Sequence, residues 1–532
     1  MTTADSPLAP LESVIAVPSP PSRKSVASRA WLIRLLAPSF SDCFFVAILI
    51  WLFVAGASGW KALLMDGDTG WHIRTGQYIL DHGHIPARDL FSYSRPEAPW
   101  FAWEWLSDVV FALLFGAAGL KGIVLFAGVL IAGVSALLLR YTLWCGANSL
   151  IALVTTLLAV GSSTIHFLAR PHLFTLLLLP VSLWLIERDR RTPSRMVWLL
   201  IPLVGIWANL HGGFAVLLVC LGLLVLGSAV ESSLSGQGWG QVKRYTALLV
   251  GCCAVTLVNP YGSQLHIHIW EYLRADWIRN LVQEFQAPTF SGEGQLQFEM
   301  LLIAGLLTAG FLLARKRITE VLWLLFLAHS SLASVRHAPL YALVAAPLVA
   351  VYVSGWWRGE AVIARRTALR RIIFEAGEDL RPAFMRTTFW AVVPVVALGF
   401  LNGPVAWPRD FPAEAFPTEM VRRNAELLSR SRTFTTDQWG DYLIYSFYPR
   451  QRVYIDGRSD FYGEGIGREY VSLLEGNYRA LEIVRQRRFQ VILLPVEWPL
   501  AELLKRETGW RVIEDNTHAI LFATSENDPA RH

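Results

Sequence analysis

Two aspartates, Asp66 and Asp68, stand directly after the first long apolar stretch of the chain, in the run Met65-Asp66-Gly67-Asp68-Thr69-Gly70-Trp71-His72. Carboxylates at the point where a hydrophobic segment leaves a bilayer are costly to hold near lipid. We therefore expect this pair to serve an aqueous site. A carboxylate there can accept a proton from a hydroxyl group, and it can also bind a hard divalent cation.

The same pair has a purely structural interpretation. Asp68 can be the N-cap of a helix that begins near Thr69, because a short acidic side chain accepts a hydrogen bond from a free backbone N–H of the first turn. Capping uses one residue, so this alternative explains Asp68 better than Asp66. His72 follows Asp68 by one helical turn and could bond to it under either interpretation.

The composition indicates an integral membrane protein. Of the 532 residues, 54% are hydrophobic and 17% are charged, whereas a typical soluble domain has roughly 25% charged residues. The net charge of +5 does not indicate a nucleic-acid partner, because no basic patch with interleaved aromatic residues is present. The spacing of the five cysteines fits neither a disulfide framework nor a zinc site.

Apolar segments follow one another along most of the chain, and we predict about eleven membrane crossings. Two of them, 196–210 and 245–259, are short for a straight span of roughly 20 residues. The predicted regions are a disordered cytoplasmic tail over 1–40, a transmembrane module over 41–403 and a small domain over 404–532. The crossings are predicted near 44–64, 121–144, 149–167, 171–186, 196–210, 213–230, 245–259, 299–314, 318–334, 338–356 and 387–403.

Basic residues predict the orientation of these crossings. Lys and Arg cluster in four loops, at 188–195, 243–244, 315–317 and 358–371. With a cytoplasmic N-terminus all four loops are cytoplasmic, as the positive-inside rule requires. An odd number of crossings then places the C-terminal domain outside, so we predict a multi-pass protein of the plasma (inner) membrane.

The opposite face collects polar and ionisable residues, which favours one aqueous cavity there. Ordinary interfacial anchoring is the alternative, above all for Arg336 and His337. His211 stands before two glycines, so it could equally well end a helix and bond a backbone carbonyl. The predicted cavity-lining residues are His72, Glu104, Asn209, His211, Asn259 and Tyr261, and Asp66, Asp68, His166, Arg170, Glu284, Arg336 and His337 map to the same face.

The first external loop is long, about 65–120, and contains two helix-like segments, Thr69–His82 and Trp100–Leu114. The second segment is aromatic and then apolar, and Gly116 and Gly119 separate it from the next span. We predict an interfacial helix along the outer leaflet. As an additional crossing it would invert every later loop and destroy the charge bias.

From about residue 404 the chain becomes more polar, and strand-like runs alternate with helix-like ones. This alternation predicts a small α/β domain with a mostly parallel sheet. The segments 437–441 and 456–460 follow predicted strands, where ligand contacts are common, although turn formation explains Asp-Gly equally well. The predicted strands are Thr433–Thr436, Arg452–Asp456, Gln490–Pro495, Trp510–Glu514 and His518–Thr524, and the predicted helices are Thr418–Ser429, Tyr470–Arg487 and Leu500–Glu507.

These features resemble the GT-C superfamily of membrane glycosyltransferases. The acidic pair after the first span matches the family's acidic position, and Trp100–Leu114 looks like its second interfacial helix. Three further elements resemble bacterial members: Trp71-His72-Ile73, Asn209–Gly213 and Asp456–Arg458. The resemblance covers most of residues 44–403. It implies transfer of a sugar from a polyprenyl-phosphate donor to an acceptor hydroxyl on the extracytoplasmic face.

The resemblance also implies roles for the candidate residues. Asp66 is the expected base, with Asp68 as a second carboxylate oriented by His72. Arg170 and Arg336, with His337 beside the latter, would bind the donor phosphate, because guanidinium binds phosphate bidentately. A divalent metal, Mg or Mn, held by Asp66 or Asp68 stays open. The implied partners are the lipid-linked donor, membrane lipids and a lipid, glycan or protein acceptor.

Two other classes of protein remain open. A transporter or lipid flippase would need polar groups at mid-membrane and on both faces, but the sequence shows no inverted repeat and few charges at span centres. The third class is a non-catalytic envelope assembly protein with the C-terminal domain as a binding module. Convergence of Asp66, Asp68, His211 and Arg336 on one cavity would favour the enzyme.

Overall fold

The computed structural model describes residues 37–56, 58–236, 238–365, 367–400 and 405–524. The tail predicted over 1–40 therefore lies almost entirely outside the described residues. Up to residue 400 the described chain is helical. Its α-helices are Phe40–Ile50, Asp68–His82, Trp105–Cys145, Ser149–Ser162, His172–Arg191, Leu200–Leu210, Phe214–Ser235, Gly240–Val255, Gln264–Arg274, Asp276–Leu281, Gln295–Ala314, Ile318–Ala333, Ala338–Ile363, Leu369–Met385 and Val392–Phe400.

Several of these helices are suited to a bilayer. Within the described ranges, four are long and apolar enough to cross one, and four more are apolar but shorter. The chain is thus a multi-pass α-helical membrane protein, as its composition predicts; the count of eleven crossings stays a prediction. The long ones are Trp105–Cys145, Phe214–Ser235, Gln295–Ala314 and Val335–Ile363, and the shorter ones are Phe40–Ala55, Ser149–Ser162, Arg195–Leu210 and Ile318–Ala333.

The first long loop, 65–120, contains two helical segments, as predicted. The helix Asp68–His82 ends at Gly83, which has a left-handed conformation with φ +69°. The second segment begins at Trp105 and breaks at Ala118 and Gly119, where φ is +61° at the glycine. Glycine adopts this backbone region easily because it has no Cβ. The break therefore lies at one of the two glycines that were predicted to separate the aromatic segment from the next span.

The C-terminal part combines short helices with one four-stranded sheet, in the order β1-β2-β4-β3. The strands are β1 Thr433–Phe434, β2 Val491–Pro495, β3 Trp510–Asp515 and β4 Ala519–Thr524. The helices are Thr418–Arg423, Ala425–Arg430, Asp437–Phe447, Ser459–Leu474, Ala480–Gln486 and Pro499–Leu504.

The prediction of a mostly parallel sheet is wrong. Only β1 and β2 are parallel, whereas β4 runs antiparallel to both β2 and β3. The tight connection between β3 and β4 forces a hairpin, because parallel neighbours need a long crossover. Asn516 stabilises this turn by accepting hydrogen bonds from the backbone N–H groups of His518 and Ala519, both at 2.8 Å.

The predicted strand Arg452–Asp456 is also absent from the sheet. Val453 forms an isolated bridge with Ser92 of the first external loop. The backbone N of Tyr93 donates to Val453 O at 2.9 Å, and Val453 N donates to Phe91 O at 2.8 Å. This segment therefore pairs with the first loop rather than with its own domain.

The helix Asp68–His82 lies between two other helices, and glycines permit the close approach. A Cβ at Gly70 would lie 2.8 Å from Asp441 O and 2.9 Å from Tyr445 Cβ of the helix Asp437–Phe447. On the other side, a Cβ at Gly76 would clash with the carbonyl oxygen of Asp108. The C-terminal domain is thus packed directly against the acidic segment of the first loop.

We expect Gly76→Ala to destabilise the protein by about 1–3 kcal/mol, because the added methyl group forces the two helices apart. Gly116→Ala is the matched control, since it lies in the helix Trp105–Cys145 and nothing lies within 4 Å of its Cβ position. Thermal unfolding of both variants in detergent compares them. Equal losses in Tm would contradict the close packing.

Candidate active site

Arg170 lies at the centre of an acidic cluster. Its Nη1 donates to Asp66 Oδ2 at 2.7 Å and to Glu284 Oε1 at 3.3 Å, and its Nη2 lies 2.6 Å from Asp68 Oδ2. Burial alone would lower the pKa of Arg170, but the three carboxylates raise it well above its usual range. The guanidinium is therefore a permanent positive charge between three acidic side chains.

Backbone contacts place Arg170 against the acidic segment. Ala169 N donates to Leu63 O at 2.8 Å, just before the aspartates. Thr69 Oγ1 donates to Ala169 O at 2.9 Å, just after them. These two hydrogen bonds fix the loop before the helix His172–Arg191 on both sides of the pair.

Asp66 uses both of its carboxylate oxygens. While Oδ2 accepts from Arg170, Oδ1 accepts from the backbone N of Asp68 at 2.9 Å. The helix begins at Asp68, and its N-cap residue Gly67 offers no side-chain hydrogen bond. The prediction that Asp68 caps this helix is therefore wrong. Asp66 is the residue whose side chain bonds to a free N–H at the start of the helix.

Asp68 is buried, and its two oxygens have different surroundings. While Oδ2 faces Arg170, Oδ1 accepts no hydrogen bond from an N–H or hydroxyl donor among the described residues, and the carboxyl of Asp441 is the side-chain partner of Asp68. A Cβ at Gly457 would clash with this Oδ1 and lie 2.9 Å from Asp441 Oδ2, so both carboxyl groups face the same glycine of the C-terminal domain. Burial raises the pKa of Asp68 to about 7, although Arg170 opposes the shift. Near neutral pH this carboxylate can therefore gain or lose a proton.

His72 does not bond to Asp68, so that predicted contact is wrong. Its Nδ1 lies 2.5 Å from Asp108 Oδ1, on the helix brought close by Gly76. Its Nε2 lies 3.8 Å from Glu104 Oε2. Burial lowers the pKa of His72 well below its usual range, and burial raises the pKa of Glu104 to about 8. The imidazole is thus neutral, and Glu104 is protonated at neutral pH.

His211 is held in one tautomer by its neighbours. Gly213 N donates to His211 Nδ1 at 2.9 Å, and Thr175 Oγ1 lies 2.8 Å from the same nitrogen. Trp207 Nε1 donates to Thr175 Oγ1 at 2.9 Å, so the hydroxyl hydrogen is free to point at the ring. With Nδ1 accepting, the neutral imidazole carries its proton on Nε2, 3.6 Å from Glu104 Oε1.

Steric crowding explains why glycines occupy the two positions after His211. A Cβ at Gly212 would clash with the ring of Trp103, and a Cβ at Gly213 would clash with Thr175 Oγ1. The Asn-Leu-His-Gly-Gly element therefore seats an aromatic ring and a histidine side by side. It is more than a helix ending, because the His211 side chain bonds no backbone carbonyl among the described residues.

Arg336 differs from Arg170 because no carboxylate pairs with it in the described part of the chain. Its guanidinium carbon lies 4.3 Å from the centre of the Phe285 ring. Its Nη1 is buried without a hydrogen-bond partner there. A half-buried guanidinium with one unsatisfied nitrogen is suited to an anionic ligand.

Two cavities meet at these groups. The histidine cavity, of about 120 Å³, is lined by His166, His172, His211 and His337 and by apolar side chains of Ala215, Val216, Ile269, Leu273 and Leu340. The aromatic cavity, of about 60 Å³, is lined by Asp68, Trp71, His72, Trp100, Phe101, Asp108, Gly457, Arg458 and Asp460. Both are bordered by Trp103, Glu104, Arg170, His211, Tyr272 and Arg336.

Most of the predicted residues thus line this double cavity, but four do not: Asp66, which reaches it only through its ion pair with Arg170, and Asn209, Asn259 and Tyr261. Asn209 accepts from Trp105 Nε1 at 2.9 Å and donates to Gly205 O at 2.8 Å. Asn259 donates to Thr256 O at 2.7 Å and accepts from Tyr261 N at 2.7 Å. The Tyr261 ring packs on that of Phe101. These three side chains shape the loops behind the cavity.

The Asp456–Arg458 element joins the C-terminal domain to the first external loop. Arg458 Nε and Nη2 donate to Asp456 at 2.8 and 2.6 Å, and Nη2 also donates to Asp89 Oδ1 at 2.9 Å. Its guanidinium lies within 5 Å of the ring centres of Phe91, Trp100 and Phe461. The charge is fully compensated, which a buried cation requires.

The arrangement does not fit a resident metal ion at the aspartate pair. In the described ranges no three His, Cys, Asp or Glu side chains come together as a metal site would require. Asp66 and Asp68 both face the guanidinium of Arg170, which stands where a cation would bind. A divalent ion at this pair would have to displace Arg170.

No protein-family model matches the chain, and no curated protein matches it by sequence. Solved structures do match over most of its length. The oligosaccharyltransferase of Archaeoglobus fulgidus in its apo form has a TM-score of 0.53 and 12% identity, covering 89% of this chain and 70% of that one. AglB of the same organism, in complex with an inhibitory peptide and a dolichol-phosphate, has a TM-score of 0.57 and 11% identity, covering 95% and 75%.

A third match is ArnT from Cupriavidus metallidurans bound to undecaprenyl phosphate, with a TM-score of 0.47 and 13% identity, covering 93% of this chain and 99% of that one. The conclusion about the fold rests on the two oligosaccharyltransferase structures. They show that the chain shares the fold of these two oligosaccharyltransferase structures, which confirms the predicted fold class of a multi-pass helical protein with a small C-terminal domain.

Proposed function

We propose that this protein is an integral membrane glycosyltransferase that moves a sugar from a polyprenyl-phosphate donor to an acceptor hydroxyl. The observation that carries the proposal is the position of Arg336. Its guanidinium, which makes no ion pair with a described carboxylate and has one unsatisfied nitrogen, lies between a cavity with an apolar wall and a cavity that contains the carboxylate of Asp68. A lipid-linked phosphate and a proton-accepting group can therefore be held next to each other.

The histidine cavity suits the donor. Its apolar side, formed by residues such as Leu273 and Leu340, can accommodate the first units of a polyprenyl chain. Arg336 can bind the phosphate with two parallel hydrogen bonds, and the Nε2–H of His211 can add a third. AglB, which shares the fold, was solved with a dolichol-phosphate, and this supports the assignment of a lipid-phosphate site here.

Asp68 is the better base of the two aspartates. Both oxygens of Asp66 are occupied by Arg170 and the backbone N of Asp68, whereas Asp68 lines the cavity and its Oδ1 accepts no hydrogen bond from an N–H or hydroxyl donor among the described residues. The acceptor oxygen would attack the anomeric carbon while its proton passes to Asp68. The anomeric carbon–oxygen bond to phosphate breaks, and the polyprenyl phosphate leaves with its negative charge stabilised by Arg336.

Arg170 takes a supporting role in this proposal. Although burial opposes the shift, Arg170 lowers the pKa of Glu284 and so keeps that carboxyl ionised. Its ion pairs with Asp66 and Asp68 fix the orientation of both side chains, while its charge adds to the positive potential around the phosphate. Mg²⁺ or Mn²⁺ at Asp66 and Asp68 remains open only with Arg170 displaced. The chemistry above uses side chains of this protein alone.

The experiment that tests the proposal is sugar transfer by the purified protein. A panel of radiolabelled polyprenyl-phosphate sugars is incubated with the protein and a mixture of lipid, glycan and peptide acceptors. We expect at least one donor to lose its label and to leave free polyprenyl phosphate. Complete retention of the label by every donor that binds would contradict the proposal.

The pH dependence of sugar transfer should follow the protonation of Asp68. A base acts only when it is deprotonated, so kcat/KM should rise with pH through the Asp68 pKa of about 7. Glu104→Gln should keep this rise, because Glu104 is already protonated there. A profile that is flat between about pH 5.5 and 8 would contradict the assignment of the base.

The stability of the folded protein should fall as the pH rises, whereas kcat/KM should rise. The folded-state pKa values of Asp68 and Glu104 lie above their ordinary values, so the folded protein binds more protons than the unfolded chain. The contribution of these two groups to the free energy of unfolding is complete at low pH and is lost as the pH rises through about 7 for Asp68 and about 8 for Glu104.

The orientation follows the charge bias and is part of the proposal. The N-terminus and the four basic loops lie in the cytoplasm, whereas the double cavity and residues 404–532 lie outside. We expect reporter fusions at Arg190 and at Asp441 to show opposite sides of the membrane. Signals from the same side would contradict an external site.

A further inference from the structure

Buried polar atoms without a hydrogen-bond partner are concentrated in the residues that line the aromatic cavity. Trp71 Nε1, Asp108 Oδ2, Arg336 Nη1 and Arg458 Nη1 are buried without a hydrogen-bond partner among the described residues, as is Asp68 Oδ1. All five residues line this one cavity, and Arg458 is only 3% exposed. Buried polar atoms are nearly always hydrogen-bonded, so their concentration here indicates a ligand that bonds to them.

The chemistry of these atoms restricts the ligand. The indole and guanidinium nitrogens of Trp71, Arg336 and Arg458 only donate, and the carboxylate oxygens of Asp68 and Asp108 accept. A ligand that satisfies both sets must accept and donate at closely spaced positions. A hydroxyl group does both, so a molecule with several hydroxyl groups fits, whereas an acyl chain does not.

The remaining walls are aromatic. The side chains of Trp100, Phe101 and Trp103 line the cavity, and Phe101 stacks on His268 with ring centres 4.9 Å apart. His268 is fixed in turn by Asp460, with its Nε2 2.8 Å from Oδ2. Aromatic faces supply large, rigid apolar surfaces with a slightly negative potential, which suit the C–H faces of a sugar ring.

The charges of the cavity disfavour an anion. Its cations are Arg170, Arg336 and Arg458, and Arg170 and Arg458 are already paired with carboxylates. Glu104, Asp108 and Asp460 add acidic groups on the same walls. Arg336 is assigned to the donor phosphate, so no described cation of this cavity is left to pair with an anionic acceptor, whereas a neutral acceptor needs none.

We propose that the aromatic cavity is the acceptor site and that the acceptor is a neutral saccharide, with the attacking hydroxyl beside Asp68 Oδ1. This assignment rests on the proposed function and adds the acceptor's chemical class to it. Hydroxyl groups of the sugar donate to Asp68 and Asp108 and accept from Trp71 and Arg458, while its ring stacks on Trp103.

Saccharide binding to the purified full-length protein tests the assignment. Neutral methyl glycosides and disaccharides of glucose, galactose and N-acetylglucosamine are titrated by calorimetry, with a serine-containing peptide and a short-chain diacylglycerol for comparison. Trp103→Ala should weaken saccharide binding by about tenfold or more, as expected for loss of a stacking aromatic side chain. Trp103→Phe should restore most of the affinity. Trp270→Ala is the control, since Trp270 is 61% exposed and lies outside the cavity.

Parallel transfer assays separate this inference from the proposed function. Label that leaves the donor and appears on the peptide or the diacylglycerol, without saccharide binding, would overturn the acceptor assignment alone. Saccharide binding that is lost in Trp103→Ala, with no turnover of any donor, would support the acceptor site and count against the glycosyltransferase. Equal saccharide binding by the Trp103→Ala and Trp270→Ala proteins would also overturn the acceptor site.

Discussion

Asp68→Asn should lower the rate of sugar transfer by about 10²–10⁴-fold, the usual cost of removing a general base. The amide keeps the shape of the side chain but cannot accept the acceptor's proton. Donor affinity should change little, because Arg336 and the histidine cavity are unaltered. The protein should still fold, since Arg170 retains its ion pairs with Asp66 and Glu284. Single-turnover kinetics with labelled donor measure the chemical step directly.

Asp66→Asn is the matched control, because it changes the neighbouring carboxylate in the same way. It removes an ion pair with Arg170 and weakens the bond to Asp68 N, so it should mainly reduce stability, by about 1 kcal/mol for the cap. If Asp66→Asn abolishes transfer in a stable protein while Asp68→Asn is active, the base is Asp66, as the sequence alone favours. Parent rates in both variants would remove the base assignment.

Arg336→Gln should weaken donor binding by about 10–100-fold, since hydrogen bonds to charged groups contribute about 1.5–3 kcal/mol. Arg336→Lys should recover only part of the loss, because an ammonium group cannot make the two parallel bonds of guanidinium. Binding of polyprenyl phosphate without its sugar isolates the phosphate contact.

Arg274→Gln controls for a general loss of positive charge. Arg274 is the last residue of the helix Gln264–Arg274, stacks on Trp270 and lines neither cavity. If Arg336→Gln and Arg274→Gln bind the lipid phosphate equally well, Arg336 does not bind the phosphate.

The helical framework could be predicted because its signals are local. Apolar segments, glycine breaks and basic loops are written in consecutive residues, so the helix after Asp68 and the break at Gly119 were recognisable. The grouping of Arg170, His211 and Arg336 with the aspartates followed from the charge bias alone. The Asn-Leu-His-Gly-Gly run also marked its site, because two adjacent glycines after a histidine indicate a crowded turn.

The contributions of the C-terminal domain could not be predicted, because they depend on contacts between distant parts of the chain. Nothing near Asp68 shows that Gly457 and Asp441, nearly 400 residues later, lie against it. The segment around Val453 looks like a strand because it does pair, but its partner is the first loop. The helix Asp437–Phe447 was missed because its Asp-Gln-Trp-Gly start has the composition of a turn.

The bonding partner of His72 likewise could not be predicted from nearby residues. Its spacing from Asp68 fits a contact across one helical turn, yet the imidazole bonds to Asp108 of another helix. Helical spacing limits which side chains share a face, but the packing of a second helix decides the actual partner. Gly76 was the available signal, because a glycine inside a helix often marks close approach of another backbone.

The central claim is that the protein breaks the bond between sugar and polyprenyl phosphate, and sealed proteoliposomes test it most directly. The donor carries one label on the sugar and another on the lipid, and both labels are followed with time. The glycosyltransferase predicts that the sugar label passes to an acceptor while unglycosylated polyprenyl phosphate accumulates in equal amount. Intact donor that crosses the bilayer with both labels still joined would contradict the account and identify a lipid transporter.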